Sequence, residues 1–129
     1  MATSPQSVDP GQLLKDYKRM VLDQQEKIKV VLEKYASLEY QRAGLSQSSN
    51  LTDAKRTKWN QGAKEWRAAK LKVLAEAQRL HKPIYDQMSQ MVSNLSGRDR
   101  DNFNRMFHTF NGYYTGVDAK LRASNLEDL

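Results

Sequence analysis

The side chains of this chain best suited to proton transfer or metal binding are two histidines, His81 and His108, and the acidic pair Asp99 and Asp101. A helical metal site needs its ligands one turn apart, as His-x3-His or Glu-x2-His, and neither histidine has such a partner. His81, beside Lys82, reads as a helix-end residue whose ring is satisfied by water or main-chain carbonyls. Asp99 and Asp101 fall in the first turn of a helix, where acids complement the dipole without a catalytic role. The chain has no cysteine, which removes thiol nucleophiles, thiolate metal sites and disulfides. It has no Gly-rich phosphate loop, no strand pattern to mount one on and no nucleophile elbow. The expectation is a non-enzyme with no metal, no cofactor and no small-molecule substrate.

Charge suggests a different chemistry. Residues 1–51 carry 7 basic and 6 acidic side chains, residues 52–82 carry 9 and 3, and residues 83–129 carry 5 and 6. The net charge of +6 therefore sits on one segment. Placed at 100° per residue, Lys64, Lys72, Arg79 and Lys82 share one helix face, with Arg56 and Arg67 on a flank. The four-residue stripe runs about 27 Å at 1.5 Å per residue. Such a stripe is a candidate site for phosphates of nucleic acid or for an anionic surface. No aromatic residue is interleaved on that face, and a solvated helix surface is the better reading of it.

A second candidate surface is apolar. Phe103, Met106, Phe107, Phe110 and Tyr114 form an aromatic-rich stripe that serves either as core or as a face for a protein partner or a second copy. A membrane surface is a weaker alternative, because this stripe and the basic one lie on different elements. Trp59 and Trp66, seven residues apart on the central segment, fit a packed seam better than an exposed interaction hot spot.

These residues must be positioned by helices. Glycine and proline are scarce, and Ala, Leu, Lys, Gln, Arg and Glu dominate the middle of the chain. Residues 1–9 read as a disordered lead-in, with Asp9-Pro10 a helix start. Helix 1 is expected over about 10–43, stopped by Gly44. A polar loop leads to a second helix over 52–95, carrying Trp59, Trp66, Val73 and Leu80 on one row and Ala63, Lys70, Ala77 and Ile84 on another. Pro83 lacks an amide proton and crowds the carbonyl of Arg79, so a kink is expected there. Folding back at the loop sets Leu38 against Trp59, Tyr35 against Ala63, Val31 against Trp66, Ile28 against Lys70, Val21 against Ala77 and Tyr17 against Leu80. Lys70 then lies across the seam, its ammonium near Gln24.

A third helix is expected over 97–123, with Ser96 as its cap. Gly112 and Gly116 admit two readings: the helix ends at Asn111, or the glycines allow close approach to helix 2. Residues 124–129 read as a frayed tail. The fold expected is all-α: a single domain over 10–123, built as an elongated, coiled-coil-like antiparallel three-helix bundle. No run approaches the ~20 apolar residues of a membrane span, and residues 1–12 do not read as a secretory signal. Together with the missing cysteine this points to the cytoplasm, and Asn50-Leu51-Thr52 and Asn94-Leu95-Ser96 are then chance glycosylation matches. The function expected is that of a helical interaction or assembly protein: an adaptor, a chaperone-like subunit or a structural component, with self-association included. Nucleic-acid or anionic-surface binding is the alternative.

Overall fold

The computed structural model describes residues 8–129. Most of the expected lead-in, residues 1–7, lies outside the described residues. Three helices follow: α1 over Pro10–Ser46, α2 over Asp53–Asn94 and α3 over Gly97–Ala123. They pack as an all-helical bundle with no strand among the described residues. Asp9 caps α1, its Oδ2 accepting from the Gln12 amide at 3.1 Å, and Pro10 occupies the first turn, where its missing amide proton costs nothing. Thr52 caps α2 through Oγ1, which accepts from the Lys55 amide at 3.2 Å. At the junction of α2 and α3, Gly97 has φ +60°, a left-handed conformation that favours glycine.

Both α2 and α3 pack mainly against α1 and meet each other less extensively. The axis of the core is therefore α1, whose Leu13, Tyr17, Val21, Gln24 and Ile28 are all buried. From α2 come Trp59, Ala63, Trp66, Leu74, Ala77 and Met88, and from α3 Phe103, Phe107, Phe110, Tyr114 and Leu121. Across α1 and α2, the Trp66 indole Nε1 donates to the Val31 carbonyl at 3.1 Å, and Tyr17 meets His81 at 2.9 Å. Both contacts fall within one residue of the pairs expected from the apolar rows.

Three local features differ from the sequence reading. First, α1 runs past Gly44 to Ser46, and Leu45 in this extra turn packs against the core. Second, α3 continues through Gly112 and Gly116 to Ala123. Neither glycine permits a close approach, because a Cβ at either would meet nothing within 4 Å. Both face outward, while the buried Phe110, Tyr114 and Leu121 hold the helix in the bundle and offset its glycine penalty of roughly 1 kcal/mol per residue. Third, residues 124–129 are not helical but they are held. Leu126 is 1 % exposed, and Leu129 packs against the core.

Candidate functional site

Each helix supplies one polar side chain to a network that runs from buried Tyr17 to half-buried His81 and Asn111. The Tyr17 hydroxyl from α1 donates to Asn111 Oδ1 from α3 at 3.0 Å and lies 2.9 Å from His81 Nε2 of α2. The imidazole Nε2 is also 3.2 Å from Asn111 Oδ1. With the proton on Nε2, a neutral His81 donates to the Tyr17 oxygen while Tyr17 donates to Asn111. Aromatic rings surround the imidazole: Tyr114 stacks on it at 4.3 Å, with Tyr85 at 5.2 Å and Tyr17 at 5.7 Å. His81 is thus a half-buried residue within α2, bonded to side chains of α1 and α3, where the sequence suggested a solvated helix end.

Burial sets the electrostatics of this network. It lowers the His81 pKa below its ordinary value, against the opposing effects of the Asn111 hydrogen bond and the Asp118 charge. Burial also raises the Tyr17 and Tyr114 phenols. The groups facing His81 are Tyr17 from α1, Tyr85 from α2, and Asn111, Tyr114 and Asp118 from α3. An imidazole with a lowered folded pKa stays neutral where the unfolded chain, with a pKa of about 6.5, takes up a proton. The stability it contributes is complete above that unfolded value and is lost as pH falls below it. Between pH 7 and 5 the melting temperature should drop more steeply in the wild type than in His81→Gln. Parallel melting curves across this range would remove His81 as the cause.

The basic stripe is placed as follows. Arg56, Lys64, Lys72, Arg79 and Lys82 are exposed, and Arg67 is half-buried. Arg56 pairs with Asp53 at 3.0 Å, Arg79 with Glu76 at 2.8 Å and Lys82 with Asp86 at 3.3 Å. Only Lys64 and Lys72 of the six take part in no ion pair among the described residues. Arg67 turns away from the stripe: its guanidinium donates to the Leu126 carbonyl at 2.7 Å and to Asp128 Oδ1 at 3.2 Å.

The aromatic stripe is placed inward. Phe103, Phe107, Phe110 and Tyr114 are buried in the core, and Met106, at 45 % exposure, is the one member left on the surface. The packing that makes them core is the reason they do not form an open face for a partner: Phe107 sets its edge on Tyr17 at 5.4 Å and lies 5.2 Å from Tyr85.

A constellation the sequence did not suggest lies where α1 and α2 receive residues 124–129. The chain leaves helical geometry at Ser124 (φ −80°, ψ 133°) and continues as an extended strap. Four consecutive main-chain oxygens of the strap are met by side-chain donors. Leu126 O accepts from Arg67; Glu127 O accepts from Arg42 Nε and Trp59 Nε1, both at 3.0 Å. Asp128 O accepts from Arg42 Nη2 at 2.9 Å, and Leu129 O from Asn60 Nδ2 at 3.3 Å. Asn60 also accepts from the Leu129 amide at 2.6 Å, so its carboxamide pairs with the strap as a second backbone would.

Upstream, Lys70 donates to Arg122 O at 3.1 Å and to Ser124 O, capping the carbonyl end of α3. This is where the seam lysine goes. It does not reach Gln24, whose buried Oε1 has no partner among the described residues. Burial and the neighbouring Arg122 lower the Lys70 pKa. The sequence does contain one signal for the strap, Leu126 and Leu129 flanking Glu127 and Asp128, opposite a basic segment.

Among the described residues no group of three or more His, Asp or Glu side chains comes together as a metal site, and no helix is long and apolar enough to cross a membrane. Comparisons with protein-family models, with curated proteins and with solved structures return no match.

Proposed function

We propose that this chain is a non-enzymatic helical interaction or assembly protein, an adaptor, chaperone-like or structural subunit that works through protein–protein contacts. The observation that supports it is the strap, an extended segment whose consecutive carbonyls are read by Arg42, Trp59, Asn60 and Arg67. Side chains arranged to bind main chain are the chemistry of peptide recognition. An elongated antiparallel order of the helices, with α2 bent at Pro83, belongs to the same reading. Cysteines at Tyr35 and Ala63, or at Val21 and Ala77, should then join readily under oxidation, and cysteines at Tyr35 and Ala77 should not. Linkage of the mismatched pair alone would overturn the antiparallel order.

Binding of nucleic acid or an anionic surface is the second reading, favoured by exposed, unpaired Lys64 and Lys72 on the segment that carries the net charge. Three of the other stripe cations are engaged by exposed carboxylates, in pairs that contribute little to stability but lower the local positive potential. Phosphate binding releases counterions, and about four phosphates give a log–log salt slope near −3.6 on duplex DNA. The experiment is a salt titration of DNA and anionic-vesicle binding by the wild type and by Lys64, Lys72, Arg79 and Lys82 all changed to Gln. The expected result is weak binding by both at physiological salt, with helical content unchanged. Submicromolar, salt-sensitive binding by the wild type that the four changes abolish would replace the first reading with the second.

A further inference from the structure

The interaction reading can be taken to a particular site and a particular kind of partner. The groove between α1 and α2 holds the strap by three means. Arg42, Trp59, Asn60 and Arg67 bind its main chain, an enclosed position takes Leu126, and Arg67 pairs with the Asp128 carboxylate. The main-chain bonds are indifferent to the identity of the bound residues. Selectivity therefore comes from the leucine position and from the sign of the charge, since Arg42, Arg67 and Lys70 all face the segment.

The strap is also poised to leave. It is joined to α3 at Ser124, after the helix ladder has closed with the Ser124 amide on Leu121 O. Beyond that point its bonds run to side chains, so release breaks no bond within the helices. The strap is six residues long and gives the core one buried leucine, whereas the three helices give it fifteen buried apolar residues.

We infer that this groove is a binding site for an extended acidic Leu-x-x-Leu segment of a partner protein, and that residues 124–129 occupy it in cis as a competitor. The inference rests on the interaction reading above. A tethered competitor acts at an effective concentration of roughly millimolar, so the unmodified protein should bind such a segment weakly until the strap is released.

The test is fluorescence anisotropy with a labelled peptide spanning residues 122–129, titrated with the full-length wild type and with full-length Leu126→Asp. Leu126→Asp should loosen the strap and bind the peptide at least ~10-fold more tightly than the wild type. A peptide with Glu127 and Asp128 changed to Lys should lose that binding. A helical Leu126→Asp protein with no saturable binding, or one that binds the charge-reversed peptide equally well, would overturn the inference.

Because Leu126→Asp can fail on folding grounds, a second measurement uses the wild type alone. Millimolar peptide should speed hydrogen exchange at the Leu129 amide, whose bond to Asn60 the bound peptide takes over. Unchanged protection at saturating peptide would overturn the inference in that case. Strap exchange between two copies, seen as a concentration-dependent dimer of the wild type, would also overturn it by making the occupant a second copy. Failure of the peptide to bind leaves the salt titration untouched, so the loss of this site and the loss of the interaction reading are separately visible.

Discussion

Trp66→Ala is expected to destabilise the protein by about 3–5 kcal/mol. Trp66 is 2 % exposed, at a point where α1 and α2 meet. Its ring lies 5.2 Å from the Tyr35 ring, and the Lys70 ammonium sits 5.8 Å above its centroid on the way to the end of α3. Truncation therefore removes a large apolar volume, the hydrogen bond to Val31 and the surface that guides Lys70. The gap lies between two helices, so it closes only if α1 and α2 shift against each other. A loss of this size is a large fraction of the roughly 5–15 kcal/mol that stabilises a typical domain. Trp66→Phe separates the terms: it keeps most of the volume, gives up the bond to Val31 and should cost much less. Urea unfolding at constant slope measures both. A change below about 1 kcal/mol for Trp66→Ala would mean that this tryptophan is not packed as described.

The pairing of Trp66 with Val31 was legible in the sequence because it depends only on where apolar residues recur. Spacings of three and four on both helices leave few ways to bring two rows together. Histidine 81 was not legible. Its neighbours Lys82 and Pro83 are both signals of a helix end, and local signals gave it a solvated role. Tertiary contacts override them: Tyr85 and Met88 beyond the proline, with Phe107 and Tyr114 of α3 against Tyr85 and His81, hold that stretch of α2 in the bundle. Its hydrogen-bond partners, Tyr17 and Asn111, lie far away in sequence, and no spacing rule connects them.

The strap escaped for a related reason. Its hydrogen bonds lead from side chains of α1 and α2 to main-chain atoms, and a carbonyl leaves no trace in residue identity. Arg42 and Asn60 look like any helix-surface residues, and Arg67 looks like one more cation of the basic stripe. The apolar residues Leu126 and Leu129 stand three apart with no longer pattern to support them. The aromatic stripe of α3, which the sequence left open between core and partner face, lies in the core. An aromatic stripe at helical spacing is what a core looks like, and α1 turns Tyr17 toward Phe107 to make it one.

Tyr17→Ala should cost about 3–5 kcal/mol, on the scale of large aromatic truncations in a core. Tyr17 is the fully buried member of the polar network, and it bonds to both other helices. Its ring packs against Phe107 of α3 and His81 of α2, so removal opens space where all three helices meet. Tyr17→Phe should behave differently. The ring remains, and His81 Nε2 and Asn111 Oδ1, 3.2 Å apart, keep each other as partners once the hydroxyl is gone. Its cost should be about 0.5–1.5 kcal/mol, that of one hydrogen bond. Asn111→Leu strands the Tyr17 proton instead, unless the imidazole turns to the other tautomer and accepts it at Nε2. The double change Tyr17→Phe with Asn111→Leu should therefore cost less than the two single changes added together, since the network's members are coupled. Strict additivity across that cycle, or a cost for Tyr17→Ala no larger than for Tyr17→Phe, would show that the three groups neither form one network nor mark the packing centre of the bundle.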